Sequence, residues 1–113
     1  MKGVSMDEMS KDQKSLLLYF ETCLVDSFGR VEGQRMNNLD LKLAEEFAKS
    51  NLVEFGRLSF KAIQKLRGDP RGHIYTHYVR FTDKAWELAH KFRRERSERM
   101  IAQNNAKLLA ELP

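Results

Sequence analysis

Residues 73–81, His-Ile-Tyr-Thr-His-Tyr-Val-Arg-Phe, constrain the fold more than any other stretch of the sequence. Aromatic and β-branched side chains dominate it. Its period of two sets Tyr75, His77, Val79 and Phe81 on one face, with Ile74, Thr76, Tyr78 and Arg80 on the other. A strand of this kind satisfies its backbone only in a sheet. It is bounded on both sides. Arg67-Gly68-Asp69-Pro70-Arg71-Gly72 before it is the strongest turn signal in the chain. Thr82 after it is a helix cap, with Asp83 favoured in the first turn by the helix dipole.

The rest of the chain reads mainly as helix. Ser10 and Gln13 have capping-box spacing. Leu16, Leu17, Tyr19, Phe20, Cys23, Leu24 and Phe28 then recur at helical spacing until Gly29 stops them. Residues 30–36 read as a loop or a short extended piece. Asn37 and Asn38 cap a second helix whose apolar face is Leu39, Leu43, Ala44, Phe47 and Ala48. Residues 52–58 mix β-branched, aromatic and Gly residues and predict a strand. Ser59 opens either a short helix through Phe60, Ile63 and Leu66 or a continuation of that strand.

The last helix starts at Thr82 and buries Trp86, Ala89, His90 and Phe92, with Leu88 at the flank. No apolar residue follows between Arg93 and Arg99. The apolar pattern returns at Met100, Ile101, Leu108 and Leu109, so the far end of this helix requires a partner or frays. A protein partner or a second copy of the chain is expected there. The expected fold is therefore α+β, with helices, a short antiparallel sheet and a protruding C-terminal helix. Residues 1–10 form a leader, 11–92 the domain and 93–113 a helical extension.

A length of 113 residues, 42% of them hydrophobic, suits one domain with one core. The single cysteine, Cys23, rules out an internal disulfide and fits a reducing, cytoplasmic setting. No run approaches the ~20 apolar residues that span a bilayer, so no membrane role is expected.

Charge divides the chain. Residues 1–50 hold seven Lys and Arg against nine Asp and Glu, whereas residues 51–113 hold thirteen against seven. A basic second half predicts a polyanion-facing side. The candidates are Arg57, Lys61, Lys65, Arg67, Arg71 and Arg80 around the turn, with Tyr78 interleaved to stack or wedge. A second patch is Arg93, Arg94 and Arg96 on the last helix.

Residues 78–89, Tyr-Val-Arg-Phe-Thr-Asp-Lys-Ala-Trp-Glu-Leu-Ala, resemble the last wing strand and following helix of winged-helix domains. Residues 51–54, Asn-Leu-Val-Glu, look like the end of their recognition helix. The resemblance covers roughly residues 11–92. It implies a winged-helix-like fold and binding to double-stranded DNA, with the second helix offered to the major groove. Asp40, Lys42, Glu45, Glu46 and Lys49 on that helix make a poor groove reader, which moves the expected contacts to phosphate at the basic turn. The chain is also similar to small uncharacterised proteins of bacterial viruses that carry a Thr-His-aromatic strand and a basic tail.

Nothing in the sequence points to catalysis, a cofactor or a small-molecule substrate. The glycines form no phosphate cradle, and no Ser sits in a nucleophile elbow. His73 and His77 share a strand face but stand ~13 Å apart in an extended chain, too far for one zinc ion. The expected role is an accessory or regulatory nucleic-acid-binding protein. The alternative is a protein-binding adaptor or inhibitor that uses the C-terminal helix and has no nucleic-acid role.

Overall fold

The computed structural model describes residues 9–67, 72 and 74–110, with Leu109 described by its backbone alone. Seven elements follow in order: α1 (Lys11–Ser27), β1 (Arg30–Val31), α2 (Asn38–Lys49), β2 (Val53–Arg57), α3 (Phe60–Leu66), β3 (His77–Phe81) and α4 (Asp83–Ala110). A 3-10 turn, Gly33–Arg35, connects β1 to α2. The fold is α+β, with four α-helices, a three-stranded antiparallel sheet and a long C-terminal helix. No helix among the described residues is long and apolar enough to cross a membrane.

Local chemistry sets the helix starts. The Gln13 N–H donates to Ser10 Oγ at 3.1 Å, and the Ser10 N–H donates back to Gln13 Oε1 at 2.7 Å. Asn37 and Asp40 repeat this reciprocal arrangement at the start of α2. Residues 59–66 resolve in favour of the helix, because Ser59 Oγ accepts from the Ala62 N–H at 3.2 Å. Thr82 serves two elements: its hydroxyl donates to the Leu52 carbonyl at 2.7 Å, and its oxygen accepts from the Ala85 N–H at 3.2 Å.

Strand order is β1-β3-β2, so the strand predicted from the aromatic run is the centre of the sheet. Its register aligns Val31 with His77, Phe55 with Val79, and Val53 with Phe81. These alternate positions supply the inner face, which packs against α1, α2 and α4. Phe20, Phe47, Leu17, Leu88, Val31 and Val79 are the most deeply buried large side chains. Each contributes about 1.5–3 kcal/mol by leaving water. Phe20 stacks on Phe55 at 5.5 Å between ring centroids, and Phe55 stacks on His77 at 5.3 Å.

Four sequence expectations are corrected. Strand β3 begins at His77 rather than at residue 73, because β1 has only two residues and β2 ends at Arg57, leaving 74–76 outside the regular ladder. His73 itself lies outside the described residues. Phe28 does not extend the apolar face of α1; it takes a left-handed backbone, φ 57°, and is 82% exposed. Leu39 leaves the core side of α2 and is largely exposed, while Leu41 packs against the core. On α4 the buried stripe runs through Ala85, Leu88, Ala89 and Phe92, which moves Leu88 to its centre and leaves His90 exposed.

Gly29 makes the turn after α1 possible. Its φ is +80°, and a Cβ there would stand 2.7 Å from the Val79 carbonyl oxygen. The backbone must come this close because the Val79 N–H donates to the Gly29 carbonyl at 2.8 Å. Gly72 has a similar φ, +74°, but a methyl group placed on it would meet nothing within 4 Å. Gly29→Ala is therefore expected to cost about 2–3 kcal/mol in urea unfolding and Gly72→Ala about 1 kcal/mol. Equal costs would show that the Val79 contact is relieved without penalty.

Candidate functional site

Of the cations predicted around the basic turn, Lys61, Lys65 and Arg67 sit on an excursion between β2 and β3, and Arg57 ends β2 just before it. Its base is closed by the Leu58 N–H, which donates to the Thr76 carbonyl at 2.9 Å. Within it, α3 turns Ile63 and Leu66 toward Ile74 and Tyr75, and these line a small cavity with Arg67 and Gly72. Tyr75 is buried, and its hydroxyl lies 3.4 Å from Ser27 Oγ at the end of α1, which anchors the excursion to the domain. Lys61 and Lys65, four residues apart, occupy the exposed side of α3. Arg67 is exposed at the C-terminal end of α3, and Arg57 is exposed at the end of β2. Arg71 lies outside the described residues.

Two features make this segment electrostatically distinct. From Arg57 to Arg67 there are four cations and no Asp or Glu. None of the four forms an ion pair with a described carboxylate. Their charge is left to the solvent, and Phe60, 72% exposed, stands among them.

Tyr78 and Arg80 lie on the outer face of β3. The phenol end of Tyr78 covers Gly56 on β2, where a Cβ would meet the hydroxyl oxygen at 2.8 Å. Arg80 is exposed and aligned with Glu54. The register adds Arg30 on the other side of Tyr78, with its guanidinium 5.5 Å from the ring centroid of Phe28. Arg30 escaped the sequence reading because its place beside Tyr78 depends on pairing between strands 48 residues apart.

The second predicted patch is divided by the fold. Arg93 turns toward α1, and its Nε donates to Glu21 Oε1, a carboxylate whose side chain is 5% exposed. His90 Nε2 stands 3.6 Å from the other oxygen of Glu21, and the ring also contacts Trp86. Arg94 pairs with Glu98 at 3.1 Å. Arg96 lines a groove between α1 and α4, together with Lys11, Lys14 and Arg99. Met100, Ile101 and Leu108 are exposed along the end of α4, and the side chain of Leu109 lies outside the described residues.

Family models, curated proteins and solved structures offer no match to this chain. The site therefore rests on its own geometry.

Cys23 is buried on α1, and burial pushes its thiol pKa up, which disfavours the reactive thiolate. His77 is held differently. Burial, and then the nearby Arg57 charge, lower its pKa from 6.5. Its Nδ1 lies 2.7 Å from Thr76 Oγ1, whose oxygen also accepts from the Gly33 N–H at 2.9 Å. A neutral imidazole that accepts the threonine proton satisfies this set.

Because the folded pKa of His77 is depressed, the unfolded chain binds more protons just below pH 6.5. The contribution of His77 to stability is complete above 6.5 and is lost as pH falls through the folded value. His77→Phe should keep the stack on Phe55 and flatten this part of the urea-midpoint profile; an unchanged profile would remove His77 as its source. Arg93→Ala should destabilise the fold by about 1–2 kcal/mol, since it strands a buried carboxylate, while Arg94→Ala should cost less than about 0.5 kcal/mol. Thermal unfolding of the two variants side by side checks this ordering.

Proposed function

We propose that this chain is an accessory or regulatory nucleic-acid-binding protein that grips phosphate, with double-stranded DNA as its partner. The observation that carries the reading is the carboxylate-free segment Arg57–Arg67, whose four cations are exposed and unpaired among the described residues. Neutralising phosphates with such groups releases condensed counterions, which gives binding without base readout. On the winged-helix resemblance, the excursion between β2 and β3 would correspond to an enlarged wing that contains α3, with a 3-10 turn and one α-helix between β1 and β2. Tyr78, flanked by Arg30 and Arg80, is a stacking group on the adjoining sheet face.

The division of labour on α2 is consistent with phosphate contact rather than groove reading. Asp40 is engaged in the cap with Asn37, and Lys42, Glu45 and Lys49 remain exposed with mixed sign. On α4, the pairs made by Arg93 and Arg94 leave Arg96 as the helix's contribution from the predicted patch.

Fluorescence anisotropy of a labelled generic duplex, titrated at several salt concentrations, tests the proposal. Binding in the micromolar range should weaken with salt at about 0.9 in log–log slope per phosphate contacted. Lys61→Ala with Lys65→Ala should reduce the slope by up to ~1.8, whereas Arg93→Ala should leave it unchanged. Absence of binding at low salt would overturn the reading in favour of a protein-binding adaptor.

A further inference from the structure

Phe28 is 82% exposed, more than any other large apolar side chain among the described residues. It closes α1 in a left-handed backbone, φ 57°, a conformation that side chains with a Cβ disfavour and that helix ends usually assign to glycine. An aromatic ring is thus held in water by a strained backbone. Strain of this kind concentrates at sites of function.

The ring lines a shallow depression on the outer face of the sheet, together with Arg30, Tyr78, Arg80, Glu54 and Leu58. Strand register sets Arg30, Tyr78 and Gly56 in one row, and Arg80 and Glu54 in the next. The Arg30 guanidinium, 5.5 Å from the Phe28 centroid, braces that ring from one side. Tyr78 leans over Gly56, which has no side chain to oppose it. Rings and guanidinium groups therefore alternate across the two rows, which stand ~6.7 Å apart along the strands. Neither arginine forms an ion pair with a described carboxylate. Glu54 is the one acid among the described residues of the depression, so its two arginines leave it positive.

Alternating aromatic and cationic groups match the alternating bases and phosphates of a nucleic-acid strand. Inside a duplex each base is covered by its neighbours, whereas an unpaired base has a free face to stack on a side chain. We propose that this depression holds an unpaired base of the bound nucleic acid, stacked on Phe28, with flanking phosphates against Arg30 and Arg80 and Tyr78 as a second stacking surface. The inference rests on the phosphate-gripping reading above and specifies its partner as a duplex that carries a single-stranded end. Leu58, whose N–H closes the base of the cationic excursion, also lines the depression, so the two surfaces adjoin.

Fluorescence anisotropy with a labelled blunt duplex, and with the same duplex carrying a short single-stranded end, tests the two statements separately. The full chain should bind the extended duplex about tenfold more tightly. Phe28→Ala should abolish that preference and leave the affinity and salt slope for the blunt duplex unchanged, because it deletes a ring and no charge. Phe28→Tyr keeps a ring and should keep the preference. Phe28 lies outside the core, so circular dichroism of both variants should match the parent chain. Lys61→Ala with Lys65→Ala should weaken both duplexes by the same factor. Equal affinity for the two duplexes would overturn the inference and leave the phosphate reading standing. A preference that survives Phe28→Ala would also overturn it, by placing the unpaired bases elsewhere. Binding that requires both the single-stranded end and Phe28 would keep the site and overturn the duplex reading, and absence of binding to either probe would overturn both.

Discussion

Four chain segments are tied together at Thr76. Its N–H donates to the Val31 carbonyl, its carbonyl accepts from the Leu58 N–H, and its hydroxyl oxygen accepts from the Gly33 N–H, all at 2.9 Å. The same hydroxyl lies 2.7 Å from His77 Nδ1. A two-residue strand such as β1 has too few ladder bonds to hold its place unaided. The threonine extends the pairing by one residue on each side of β3 and fixes the 3-10 turn to the sheet through its side chain. It also closes the base of the excursion. Position and support of the cationic segment thus depend on one residue at the edge of the regular ladder.

The excursion follows from that closure. Once Leu58 and Thr76 are bonded, the path between them carries α3 outside the sheet. Helix α3 fills part of this path but contains no buried residue, so the domain core does little to hold it. Tyr75, buried and reaching Ser27, attaches the returning chain to α1. A segment anchored at its base and at one aromatic residue, with its cations turned outward, suits contact with an extended polyanion. The charge lies on a defined support while the side chains keep their own freedom.

Helix α4 performs separate tasks along its length. Ala85, Leu88, Ala89 and Phe92 complete the core, and Arg93 neutralises the buried Glu21 on α1. Beyond this point the helix leaves the fold with exposed apolar side chains. The arginines in the middle are therefore not one surface. Arg93 supports packing, Arg94 is matched within the helix, and Arg96 faces the α1–α4 groove with Lys11 and Lys14.

Helix starts, the central strand, the capped helix at Thr82 and the α+β class were legible in the sequence, because caps and apolar periodicity act over a few residues. The concentration of bases in 57–67 was legible for the same reason. Tertiary structure decided what the bases are free to do. Glu21 reads as an ordinary acid on α1 until packing buries it beside Arg93, 72 residues later. Arg30 becomes a neighbour of Tyr78 only through strand pairing, and Phe28, at helical spacing from the apolar face of α1, is exposed in a left-handed backbone next to Gly29. Local order is governed by backbone preferences within one turn or one strand. The partners of a charge depend on contacts between distant segments, which the chain acquires only when it folds.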